Sequence, residues 1–170
     1  MGRRLLTIVG TLLGLGVLAF AVAASIWPVV HEVETGATPE YPTVQPHYYT
    51  AAPGNVLGEV ESSIRAMPRW QLVASESADR TIEATHATRF FGFIDDVKVW
   101  AEPVSQGVTR VRVRSASRIG KMDFGQNARN IHRLLTELDR RLSDAKFDPD
   151  RTMDDKTSAP DKESSNGGEP

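Results

Sequence analysis

Asp95 and Asp96 stand side by side at the start of an alternating stretch. Arg89 precedes them, and Arg114, Ser115, Ser117, Arg118, Asp123 and Asn127 follow in one later segment. Carboxylates are the usual groups for acid or base work, while arginine's forked donors hold phosphates and carboxylates. Two chemistries are therefore open. A binding or scaffolding module would use Arg89, Arg114 and Arg118 to hold an anionic group. A hydrolase would use Asp95 or Asp96 as acid or base, with the arginines stabilising developing negative charge.

The motifs of several enzyme classes are missing from the chain: no G-x-S-x-G elbow, no H-E-x-x-H and no glycine-rich phosphate loop. Ser115 and Ser117 fall in a regular strand without an evident base, which disfavours either as nucleophile. Neighbouring strand residues point to opposite faces, so Asp95 and Asp96 do not reach one metal ion without a bulge. His31 and His47 are too far apart, with no ligand-spaced partner, and read as exposed linker residues. Neither a metal nor a cofactor is expected. The reading favours the non-enzymatic module.

These residues must be positioned by a hairpin. Residues 95–104 and 108–119 alternate, and Ser105-Gln106-Gly107 suits a three-residue loop with glycine at its left-handed position. That loop pairs Val104 with Val108, Glu102 with Arg110, Trp100 with Arg112, Val97 with Ser115, Asp96 with Ala116 and Asp95 with Ser117. One face then carries Val97, Val99, Ala101, Val111, Val113 and Ile119, the expected core. The other carries Glu102, Trp100, Lys98 and Asp96 against Arg110, Arg112, Arg114 and Arg118. On that outer face Lys98 opposes Arg114, and Asp96 lies diagonal to Arg114 and Arg118. Asp95 falls on the core face, where a carboxylate must be compensated. Ser115, Ser117, the amides of residues 120–123 and Arg89 are the available partners. The network is either structural, tying the last helix to the sheet, or a functional site.

Around the hairpin the chain divides simply. Residues 5–27 form an uncharged run of about 23, long enough to cross a hydrocarbon core of about 30 Å, behind a cytoplasmic N-terminus, residues 1–4, with Arg3 and Arg4. They predict a single-pass anchor with the domain extracytoplasmic. Ala21-Val22-Ala23 offers the alternative of signal cleavage and secretion. Residues 28–52 read as an extended spacer, 53–147 as the folded domain and 148–170 as a disordered tail with little to bury. Within the domain, Pro53 opens a helix whose apolar positions run from Val56 to Met67. Residues 70–76 and 81–91 read as strands, with His86 a partly buried strand histidine that has one satisfied nitrogen. Asp123 caps a last helix carrying Ala128, Ile131, Leu135, Leu138 and Leu142. The sum is an α+β domain: a four-stranded antiparallel sheet with two flanking helices, preceded by one transmembrane helix. Net charge of -2 with interleaved basic residues argues against a nucleic-acid binder. The absence of cysteine removes disulfides, thiolate metal sites and a cysteine nucleophile.

The segments T-R-F-F-G-F-I-D-D-V at 88–97 and R-S-A-S-R-I-G-K-M-D-F-G-Q-N-A-R-N-I at 114–131 resemble the signature of the family known as domain of unknown function 1499. The resemblance spans about residues 40–142. It implies a small bacterial envelope protein, which would put the anchor in a bacterial inner membrane, and no particular reaction, and it draws attention to Arg89, Asp95, Asp96, Arg114, Ser115, Ser117, Arg118, Asp123 and Asn127. Asn130 stands where the family pattern has an arginine before isoleucine, and Arg129 lies one place earlier. The expected partners are the membrane, through residues 5–27, and an anionic envelope ligand, either a lipid head group or a polymer. No nucleic acid is expected, and the residues specify no protein partner.

Overall fold

A computed structural model describes residues 2–26, 28, 30–89, 92–120 and 123–149. Its elements run α1 (Gly2–Ile26), β1 (Glu32–Glu34), β2 (His47–Tyr49), α2 (Pro53–Ala66), β3 (Trp70–Glu76), β4 (Thr81–Ala87), β5 (Ile94–Ser105), β6 (Val108–Ser117), α3 (Gln126–Arg141), a short 3-10 turn and β7 (Lys146–Phe147). The class is α+β, with three helices and a seven-stranded antiparallel sheet of order β3-β4-β5-β6-β2-β7, β1 also pairing with β6. Helix α1 contains one stretch, Arg4–Val22, long and apolar enough to cross a membrane.

Alternation drives the sheet. Val97, Val99 and Ala101 of β5, with Val111 and Val113 of β6, are all buried on one face, as period-two spacing requires. Helices α2 and α3 supply Val56, Leu57, Val60, Ile64, Ile131, Leu134, Leu135 and Leu138 to the same core. Pro53 sits in the first turn of α2, where its missing N–H costs nothing. The observed pairing places Asp95 with Ser117, Val97 with Ser115, Trp100 with Arg112 and Glu102 with Arg110, as the loop predicts. Only the tip differs. Ser105 pairs with Val108 after a bulge following Pro103, because proline has no N–H to give the ladder.

Four strands understate the sheet. The residues expected as a spacer contribute β1 and β2, both against β6. A three-residue strand shows no periodicity of its own, yet Val33 and Tyr49 are fully buried. Between them Gly36 turns at φ 69°, and a Cβ there would sit 3.3 Å from the Pro46 ring. His47 is accordingly no linker residue: its Nδ1 lies 2.9 Å from Asp139 Oδ1 on α3. Ile119, assigned to the core face, is instead 64% exposed, because β6 ends at Ser117 and the alternation ends with it. Trp27, the Phe90-Phe91 corner and the tail beyond Pro149 lie outside the described residues.

Candidate functional site

Three strand positions and one helix turn meet at the open end of the hairpin. The β4–β5 register sets His86 beside Asp95, and the β5–β6 register sets Ser117 on the other side of it. Asp95 is 1% exposed, so its carboxylate must be met by donors. Ser117 Oγ donates to Oδ1 at 2.8 Å, and Asn130 Nδ2 donates to Oδ2 at 2.9 Å. Ser115 Oγ donates to Asn127 Oδ1 at 2.7 Å, while Asn127 Nδ2 donates to the His31 carbonyl and to Ser117 Oγ. Gln126 Nε2 reaches Asn130 Oδ1 at 2.7 Å. The network stitches the start of α3 to β5 and β6.

Asp123 sets where that helix begins. Its two carboxylate oxygens accept the backbone N–H groups of Gly125 and Asn127 at 2.8 and 2.7 Å. The cap acts from further upstream than the D-x-x-Q pattern implies: Phe124 and Gly125 both have positive φ, and the helix starts at Gln126. Gln126 does not complete a reciprocal box, since its amide is turned to Asn130 and Arg129.

His86 departs from expectation. It is 1% exposed, and neither ring nitrogen has a hydrogen-bond partner among the described residues. Nδ1 lies 3.5 Å from Asp95 Oδ2, an ion-pair distance without hydrogen-bond geometry. Trp70 packs on the ring at 5.4 Å between centroids.

Above this floor opens a cavity of about 660 Å³, within the range of small-molecule sites. His86, Asp95 and Ser117 line its base; Phe93, Ile119 and Phe124 give it a mostly apolar wall; Arg69, Arg89, Arg129 and Arg133 surround it. The two aspartates in its lining, Asp95 and Asp123, already accept short hydrogen bonds, whereas Arg129 among the described residues donates only to the Phe124 carbonyl and the Gln126 amide oxygen. Arg69, Arg129 and Arg133 enter no ion pair among the described residues. Basic side chains thus outnumber acidic ones in the cavity lining.

The nine residues marked by the sequence are divided by the sheet. Asp95, Ser115, Ser117, Asp123 and Asn127 lie on the helix-covered side, and Arg89 lines the cavity. Asp96, Arg114 and Arg118 lie on the opposite face. There Arg118 holds Asp96 by a forked pair at 2.7 to 3.1 Å, and Arg114 holds Glu32 at 2.5 Å. The hydrogen bond from Arg114 keeps the Glu32 carboxyl below its ordinary range. Arg112 bonds Glu34 and Glu102 and stacks over Trp100 at 4.8 Å. The Lys98–Arg114 clash is relieved by Glu83 on β4, which takes the Lys98 ammonium at 2.7 Å. Two contributors are absent from those the sequence marked, Asn130 and His86. Asn130, like Asn127, interrupts the apolar stripe of α3 with a buried amide, a signal present in the sequence; the His86–Asp95 pairing has no such signal, because the connection between β4 and β5 is no short hairpin turn.

Fold and site define a small α+β domain with a polar-floored, arginine-rimmed cavity, carried behind one apolar N-terminal helix. The chain belongs to the family described as protein of unknown function (DUF1499), whose model matches residues 24–138. No curated protein matches it in sequence. It is similar to a solved structure, TTHA0849 from Thermus thermophilus, at 15% identity over 65% of this chain and 96% of that one, with a TM-score of 0.36. A likeness at that level carries no argument about function.

Proposed function

We propose that this protein is a membrane-anchored binding module of the cell envelope, held by α1 with its N-terminus in the cytoplasm, whose cavity takes an anionic ligand. The observation that carries this reading is the imbalance in the cavity lining. Its two carboxylates have their hydrogen bonds from internal donors, while Arg129 among the described residues has only neutral acceptors, and four arginines face those two carboxylates. Such a site attracts an anion by forked, charge-assisted hydrogen bonds. The arginines expected to serve, Arg114 and Arg118, are engaged on the far side of the sheet; Arg129 and Arg133 take that role here. The positive flank of the apolar run supports an extracytoplasmic domain.

A hydrolase remains the second reading, supported by the 3.5 Å approach of His86 to Asp95 at the cavity floor. Binding is favoured over it because both Asp95 oxygens and the hydroxyls of Ser115 and Ser117 are already bonded within the network.

The test is thermal unfolding of the full-length protein in neutral detergent, titrated with inorganic phosphate. Binding raises the midpoint with phosphate concentration, and Arg129→Gln with Arg133→Gln removes the rise. A folded wild type that neither responds to phosphate nor retains an anionic molecule on purification overturns the proposal.

A further inference from the structure

The geometry points to a particular ligand: an anionic membrane lipid, its head group at Arg129 and Arg133 and its acyl portion along the Phe93, Ile119 and Phe124 wall. This rests on the binding-module reading and names the class of molecule bound. Three observations converge. The cavity wall is mostly apolar although four arginines surround it, a division suited to an amphiphile and poorly suited to a free polyanion. Phe124, part of that wall, packs edge to face on Phe20 of α1 at 6.1 Å between centroids. Phe20 lies near the end of the stretch able to span a bilayer, Arg4–Val22. The cavity wall thus meets the apolar helix close to where that helix leaves the hydrocarbon region. Ile119 and Phe93, 64% and 45% exposed, leave an apolar lip, and a lipid passing along it need not cross water.

The second, independent pointer is His86. A buried imidazole whose two nitrogens have no hydrogen-bond partner among the described residues costs free energy unless something else meets it. It lies at the base of the same cavity. A lipid carrying a hydroxyl or ester oxygen into the base supplies the missing partner, which neither an inorganic anion at the rim nor a plain hydrocarbon does.

The experiment uses the full chain reconstituted into phosphatidylcholine vesicles containing phosphatidylglycerol with a photoactivatable acyl chain, the crosslinked residues being located by mass spectrometry. Crosslinks in the segments bearing Phe93, Ile119 or Phe124 are expected. They should fall at least tenfold when the photoactivatable chain is carried on phosphatidylcholine, and likewise in Arg129→Gln/Arg133→Gln. Ile119→Glu, at an exposed position that leaves the core intact, should reduce them several-fold by setting a negative charge on the lip. Crosslinks confined to α1, or equal for both head groups, overturn the inference. Phosphate titration separates the two levels: a phosphate response without cavity crosslinks leaves the binding module standing and removes the lipid, whereas loss of both removes both.

Discussion

The side-chain amide of Asn130 on α3 donates to Oδ2 of Asp95 on β5 across 2.9 Å, with both residues almost wholly buried. One amide thus fixes the last helix to the sheet and supplies the donor for the Asp95 oxygen that Ser117 does not reach. Removing it as Asn130→Ala leaves a buried charged oxygen short of a donor and should destabilise the fold by about 2 to 4 kcal/mol. Asn130→Asp, which sets carboxylate against carboxylate, should cost more. Urea unfolding of the full-length protein in detergent measures both; an alanine variant as stable as wild type contradicts the network.

His86 makes the opposite case. Because its ring nitrogens bond nothing among the described residues, His86→Phe keeps the packing against Trp70 and removes two unmet polar atoms. Its stability should stay within about 1 kcal/mol of wild type or rise. Lipid crosslinking at the cavity should drop in the same variant. A large loss of stability would mean that the imidazole serves the fold.

On the outer face, Arg114 and Arg118 are paired with Glu32 and Asp96 at part-exposed positions. Exposed pairs contribute little, typically about 0 to 1 kcal/mol each. Arg114→Gln/Arg118→Gln should therefore shift the unfolding midpoint slightly and leave phosphate binding unchanged. If phosphate binding disappears, the site is on the wrong face of the sheet.

Asp139 predicts an acid response. Burial raises its carboxyl, but hydrogen bonds from Lys146, Tyr49 and His47 outweigh it, and the group sits below its ordinary value of 3.8. A depressed carboxyl contributes stability that is complete above its unfolded value and lost as pH falls through the folded one. Wild type should lose stability as pH drops below about 4, and Asp139→Asn should lose less over that window. Tyr49 responds reciprocally: burial first, then Asp139, pushes its phenol well above the ordinary range. Denaturant midpoints measured across that pH range check the slope, and equal slopes refute the role of Asp139.

Placement of the domain has its own test. In spheroplasts of a bacterium expressing the full chain, added protease should remove the domain and leave α1 with the membrane. Protection of the domain until the cells are lysed would put it in the cytoplasm.

What the chain alone determined was whatever depends on local periodicity. Alternation over residues 95–117 and a glycine-bearing loop set the hairpin register nearly residue for residue, and with it the burial of Asp95 opposite Ser117. Helical spacing placed α2 and α3, and an uninterrupted apolar run located α1. The family signature was readable for the same reason, being a contiguous pattern. Tertiary structure decided what lies between segments. β1 and β2 exist only because β6 offers them an edge, so three-residue stretches with no period of their own became strands and His47 met Asp139. Alternation already set Arg112 and Arg114 on the outer face, but the carboxylates that engage them there, Glu34 and Glu32 of β1, arrived only with the fold. His86 came to Asp95 through a strand pairing that no short turn announced. Contacts of that kind depend on closing loops whose length leaves their geometry open, and only the packed core selects one of the available closures.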